Sequence, residues 1–334
     1  MSITKDQGEK IQIMRGLCIV AVVFIHVCFG SAYDLYISAL GNYCVGSFLF
    51  LSGFFTYEKR VFPVGKFYKK RGLRILVPYL LWSLIYTAYS GDFSGFFYKL
   101  LTGQCCSIYY YIIVYLQLIL LTPLLVKIMK TKLWWIILCI SPFGILGEYM
   151  IALKTDYLLI YPWNINNFVV WISYYYIGVL IVNKSLEKKV TSISWMGVIG
   201  MIVVAGGLSV FEARWWLDFG REDFATTPAK LSVFLWTLSV LLVLLKWMST
   251  KNPKEINFGW KVLKYIGDAS FGIYLVHQLI IQVLGQWGVL RFHRMINYLL
   301  VMGVSFCIVW GLKSFLVGIW KDKGKQWAQW IGCM

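Results

Sequence analysis

The sequence is short of charge. Only 14% of its 334 residues are Asp, Glu, Lys or Arg, and just 15 are acidic. Soluble domains carry about 25% charged residues, so a water-facing surface wrapped around a small core is excluded. Histidine occurs three times. No His, Cys, Asp or Glu grouping has metal-ligand spacing, and no resident metal is expected. Most of the eight cysteines sit inside apolar runs, where they behave as small hydrophobes. The adjacent Cys105 and Cys106 fall in a loop, but nothing forms a disulfide framework. Internal repeats, low-complexity tracts and soluble stretches are also missing, which leaves a single domain over 1–334. No cleavable leader is expected, because the polar start MSITKDQGEK runs into an apolar stretch with no small-residue cleavage site after it.

What is abundant is apolar surface: 59% of residues are hydrophobic and 18% aromatic. Runs close to the length that crosses about 30 Å of hydrocarbon recur along the whole chain. They predict an all-α, polytopic integral membrane protein with ten spans. These lie at roughly 11–30, 39–57, 75–90, 108–126, 133–151, 167–182, 193–212, 228–248, 266–287 and 296–318. The net charge of +17 would suggest nucleic acid as a partner of a soluble chain. Here the positive-inside rule accounts for it. Basic residues crowd the segments 5–15, 58–74, 127–132, 184–189, 246–264 and 321–325, and alternate loops hold few. Both termini are therefore expected in the cytoplasm, and nucleic acid is not an expected partner. Tyr109, Tyr110, Tyr111, Trp134, Trp135 and Trp171 fall near span ends and read as interfacial belts.

Three features rise above this background. The first span, Met14–Phe29, carries Arg15 at its mouth and His26 well inside. Eleven residues at 1.5 Å each put the two about 16 Å apart, which sets His26 near mid-membrane. An ionisable group there is a candidate functional site. The bland alternative is a snorkelling arginine and a histidine satisfied in a helix contact. The second feature is Lys69-Lys70-Arg71-Gly72-Leu73-Arg74. Arg71 and Arg74 share a helix face and could grip a phosphate, or serve only as a cytoplasmic anchor. The third is Ser270 to His277 in span nine, where His277 reaches a depth similar to that of His26 and Tyr274 lies one turn before it. His293 falls in an outer loop and reads as solvated. Asp34, Glu148, Asp218, Glu222 and Asp223 lie towards the outer side, as an acidic rim for sugar hydroxyls or simply as solvated charges.

In this order and spacing the motifs resemble those of the membrane acyltransferase type 3 family, over essentially the whole chain. The most specific element is an arginine, ten residues, then a histidine in the first span, met by Arg15 and His26. Next comes the R-x-x-R pair, met by Arg71 and Arg74. Ser47 to Phe54 is similar to the family's F-x-x-S-G-F segment, and the stretches Tyr109 to Pro123, Tyr174 to Gly178 and Ser270 to His277 are also similar. The resemblance implies an acyl-CoA donor entering from the cytoplasm, most simply acetyl-CoA. Its phosphates would lie near Arg71 and Arg74, with Lys70 and Arg15 as further contacts. The acceptor would be a hydroxyl of a lipid-linked or cell-surface glycan on the outer side of a bacterial inner membrane. His26 is the implied catalytic residue, and a neutral imidazole suits removal of a hydroxyl proton. Tyr274 and His277 are candidates for orienting that base or stabilising an oxyanion. The chain resembles the stand-alone form, without an added extracytoplasmic domain. The rival reading is a transporter of a small amino acid or a lipid-linked saccharide, since mid-membrane histidines also suit proton coupling.

Overall fold

Backbone donors and acceptors find no water in hydrocarbon, so a chain of this composition must satisfy them within helices. The computed structural model describes residues 4–27, 34–56, 62–154, 162, 164–184, 186, 190–250 and 257–333, and among them there is no strand. The loop cations Lys59, Arg60, Lys188, Lys189, Lys251 and Lys254 lie outside the described residues. In chain order the helices are α1 (Lys5–Val27), α2 (Asp34–Gly41), α3 (Tyr43–Phe54), α4 (Val64–Ser90), α5 (Phe96–Thr102), α6 (Tyr110–Met129) and α7 (Ile136–Ala152). They continue as α8 (Ile172–Asn183), α9 (Trp195–Asp218), α10 (Glu222–Thr226), α11 (Leu231–Ser249), α12 (Phe258–Asp268), α13 (Ser270–Gln286) and α14 (Arg294–Trp330). The protein is a polytopic, all-helical membrane protein.

Every expected span has helix at its place, but ten crossings are not confirmed. Six segments are long and apolar enough to cross, or seven if the bent pair α12–α13 counts as one. α4 is long, yet its first turns carry Lys66, Lys69, Lys70, Arg71 and Arg74. α7 and α8, at 17 and 12 residues, are shorter than the roughly 20 residues a perpendicular crossing needs. Span nine is not a simple rod either. α12 meets α13 at 77° across Ala269, so Lys261 and Lys264 stand on a helix rather than in a loop.

Two close helix crossings hold the centre. A Cβ on Gly53 would lie 1.9 Å from the carbonyl oxygen of Tyr175, and one on Gly178 would lie 2.1 Å from that of Phe50, so α3 and α8 touch backbone to backbone. Gly16 and Gly267 do the same for α1 and α12, facing Leu263 and Gln12 at 2.1 and 1.8 Å. Small residues at crossings are the usual way helices gain van der Waals contact in lipid. Lys264 of α12 adds an ion pair to Glu9 of α1 at 2.8 Å. The fully buried Lys10 donates to the last carbonyls of α11, Trp247 at 3.0 Å and Thr250 at 2.5 Å.

α9 and α14 lie at the periphery. Their outward Val203, Phe211, Leu299 and Trp310 are exposed and form lipid-facing surface. His293 is exposed, as read from the sequence, and also caps α14: its Nδ1 accepts from the Met295 N–H at 3.4 Å. The α14 backbone reverses at Lys321, and the final turn returns to the bundle, where the Trp82 indole N–H donates to the Ile331 carbonyl at 3.0 Å.

Candidate active site

One cavity of about 860 Å³ runs through the middle of the bundle, near the upper end of the range for small-ligand pockets. α1 contributes Gln12, Arg15, Val22, Ile25 and His26, one face of the helix at steps of three, four and seven residues. α4 lines its basic end with Lys66, Lys70, Arg71 and Arg74. Tyr110, Tyr111 and Tyr115 of α6 and Ser270, Phe271 and Tyr274 of α13 form further wall. Ser38 of α2, Asn42 at the α2–α3 break, and Thr226 and Pro228 before α11 lie at the end away from the cations. There the Asn42 side-chain amide donates to the Thr226 carbonyl at 2.9 Å.

Arg71 is held firmly. Its Nη1 donates to the Ser52 carbonyl at 2.8 Å and to the Tyr115 hydroxyl at 3.3 Å, while the guanidinium lies 5.5 Å from the Phe67 ring centre. Arg74, one helical turn on, and Lys70 are exposed at the same mouth. Arg15 is half-buried, and among the described residues its Nε has no hydrogen-bond partner. The four cations named from the sequence therefore line one mouth together.

The described part of α1 ends at Val27, with His26 in its last turn, and the remainder of the expected span to residue 30 lies outside the described residues. His26 and His277, on α1 and α13, are brought together with ring centres 5.4 Å apart and planes inclined by 41°. His26 lines the cavity; His277, fully buried, lies outside its lining. The His277 Nδ1 faces the carbonyls of Ile273 and Tyr274 at 3.0 and 2.9 Å. Tyr274 stands between, its ring 6.2 Å from His277 and 5.7 Å from Tyr111. Its hydroxyl proton is already given to the Ile108 carbonyl, so it has no free O–H for an oxyanion.

The outer acidic residues do not gather at the cavity. Asp218 pairs with Arg214 at 3.0 Å and Asp223 with Arg221 at 2.8 Å, while Glu148 and Glu222 are absent from the lining. The Asp34 side chain lies outside the described ones. The tyrosines assigned to an interfacial belt are mostly inside. Tyr109 and Trp171 are buried, and Tyr110 and Tyr111 face the cavity, because edge-to-face partners such as Tyr79 and Tyr86 take up the Tyr109 ring within the bundle. Only Trp135 of that set is exposed as a belt residue should be. Gln12, Tyr111, Tyr115, Ser270 and Asn42 were not singled out as site residues by sequence reasoning. Helical register from Arg15 and His26 points to Gln12, three residues before Arg15. Tyr111, Tyr115 and Ser270 lie inside the family-like stretches Tyr109 to Pro123 and Ser270 to His277, which mark the segments but not which side chains face the cavity, and Asn42 carries no local signal.

These features define a helical membrane protein built around one internal cavity, cationic at one mouth and flanked deeper in by two imidazoles. The chain belongs to the acyltransferase 3 family: the family's acyltransferase-domain model matches residues 9–313, a stretch that includes every residue lining the cavity. The protein is thus a membrane acyltransferase. No curated protein and no solved structure matches it.

Proposed function

We propose that this acyltransferase moves an acyl group, most simply acetyl, from cytoplasmic acyl-CoA to a hydroxyl of a lipid-linked or cell-surface glycan, in the inner membrane of a bacterium. The observation that carries this reading is that His26 and the cationic mouth line the same cavity. The donor's phosphates bind at Arg71, Arg74, Lys70 and Arg15, where a planar guanidinium can engage phosphate through paired hydrogen bonds. The thioester then extends along the cavity towards His26, and the acceptor hydroxyl approaches from the Ser38 and Asn42 end. His26 takes the hydroxyl proton as the oxygen attacks the thioester carbonyl. The C–O bond forms, the C–S bond breaks, and the proton passes to the departing thiolate to give free CoA. A cavity walled by apolar and aromatic side chains keeps competing water away from the thioester.

The test is His26→Ala in membranes supplied with radiolabelled acetyl-CoA. Transfer to glycan should fall by at least about a hundredfold, the scale of a lost general base. Transfer at the wild-type rate would overturn the proposal. Ester analysis of surface glycans separates this function from export: loss of acyl esters with the polymer retained is expected, whereas loss of the whole polymer would favour a transporter.

A further inference from the structure

We propose that His277 is a positioning residue for His26: its Nε2 accepts the N–H of the His26 imidazole, and so holds the lone pair of the other His26 nitrogen towards the cavity. The inference rests on the reading of His26 as the base, and goes beyond it by assigning a partner and a tautomer to each ring.

The argument starts at His277 Nδ1. Both groups it faces, the carbonyls of Ile273 at 3.0 Å and Tyr274 at 2.9 Å, are acceptors only. A neutral imidazole has one N–H and one lone pair. Two carbonyls require the N–H to be on Nδ1, which leaves Nε2 as a bare acceptor. That Nε2 is buried and, among the described residues, has no hydrogen-bond partner. Such an acceptor inside a bundle is costly unless a donor reaches it.

His26 is the neighbouring imidazole, with ring centres 5.4 Å apart. Subtracting two ring radii leaves about 3 Å between nitrogens turned towards each other, the length of an N–H···N hydrogen bond. The present 41° inclination does not yet make that bond. Catalytic hydrogen bonds often tighten only once substrate is bound. The order of the parts is also right, because His26 lines the cavity and His277 does not. His277 is therefore behind the base rather than beside the reacting atoms.

Once His26 donates to Nε2, its remaining nitrogen must be the lone pair, the form that can take a proton. When that proton arrives, the imidazolium keeps its N–H directed at His277, so the new charge meets an acceptor instead of hydrocarbon. The backbone of α13 sets the whole chain of tautomers, since the two carbonyls belong to the turn on which His277 sits.

The test uses full-length protein in nanodiscs, labelled with ¹⁵N-histidine. Only three imidazoles are present. One is expected as the Nδ1–H tautomer, the form less populated in water, and its signal should vanish in His277→Gln. A histidine signal assigned to His277 as Nε2–H would overturn the proposal whatever the activity. In membranes with radiolabelled acetyl-CoA, His277→Phe should lower kcat by about 10- to 100-fold, the scale of other orienting partners, with KM for acetyl-CoA within about twofold. His277→Gln, whose amide oxygen can stand near the Nε2 position, should recover kcat to within about fivefold of wild type. Wild-type kcat in the Phe variant, or equal loss in Phe and Gln, would sink the idea. If the Phe variant fails to fold, the tautomer assignment and the Gln variant still decide. Activity surviving His26→Ala would instead defeat the underlying reading, and the ¹⁵N measurement distinguishes the two failures.

Discussion

Arg71 shows how one side chain can serve packing and binding together. A single nitrogen of its guanidinium bridges α3 and α6 through the Ser52 carbonyl and the Tyr115 hydroxyl, with the Phe67 ring against the plane. Among the described residues no further hydrogen bond takes up the rest of its five donors, which remain for the cavity it lines. Lysine has the charge but not the planar fork. Arg71→Lys is accordingly expected to raise the KM for acyl-CoA by about tenfold with kcat nearly unchanged, and Arg71→Ala with Arg74→Ala by more, as losses of charge-assisted hydrogen bonds. Unchanged CoA affinity in the double variant would return both arginines to a purely anchoring role. At this scale the sequence was informative because cations and imidazoles are scarce here, and each one inside an apolar run stands out. It was uninformative wherever the partner came from elsewhere in the chain. Nothing near Tyr274 indicates that its proton belongs to Ile108, whereas the matching depths of His26 and His277 follow from helical register alone, and the two rings do meet.

At the level of the helix, the supporting family stretches acquire a packing reason. The Ser52-Gly53-Phe54 and Tyr176-Ile177-Gly178 segments are the two sides of the α3–α8 crossing, and α3 carries the Ser52 carbonyl that holds Arg71. Gly53→Ala would put a methyl group 1.9 Å from a backbone oxygen, with no flexible side chain to yield. A destabilisation of about 1–3 kcal/mol is expected, as for an overpacked core, together with weaker acyl-CoA binding as Ser52 shifts. A thermal unfolding midpoint in detergent equal to wild type would refute it. Helix ends were the least legible part. Hydropathy reports composition: Lys261 and Lys264 read as loop residues before span nine, and Asp268 and Ser270 beside Ala269 carry no signal of a 77° bend between two helices. What creates the bend is contact: α12 turns to lay Gly267 on α1, a pairing 251 positions apart in sequence between Gly16 and Gly267.

Taken as a whole, the molecule is asymmetric along its axis, and the asymmetry bears on the reaction. One end gathers the basic helix starts and loops and the cationic cavity mouth; at the other, Lys99, Arg214 and Arg221 pair with Asp92, Asp218 and Asp223. The charge bias that predicts orientation was readable from sequence alone, because it is a sum over loops and needs no contact information. The joining of the basic mouth to His26 by one cavity was not, since it depends on helices from distant parts of the chain meeting. If the basic end faces the cytoplasm, the donor site is where acyl-CoA is made, and the acceptor end faces the glycan. This is checked by replacing Ser94, exposed in the α4–α5 loop, or Lys132, exposed in the α6–α7 loop, with cysteine. A membrane-impermeant maleimide added to intact cells should label Ser94→Cys and leave Lys132→Cys untouched until the membrane is permeabilised. Cys18, Cys44, Cys106 and Cys333 are buried, whereas Cys105 and Cys139 are partly exposed and Cys307 is exposed, so labelling is scored against the wild-type chain treated in parallel. The reverse pattern would set the arginine mouth outside the cell, beyond the reach of cytosolic acyl-CoA, and the proposed direction of transfer would fail with it.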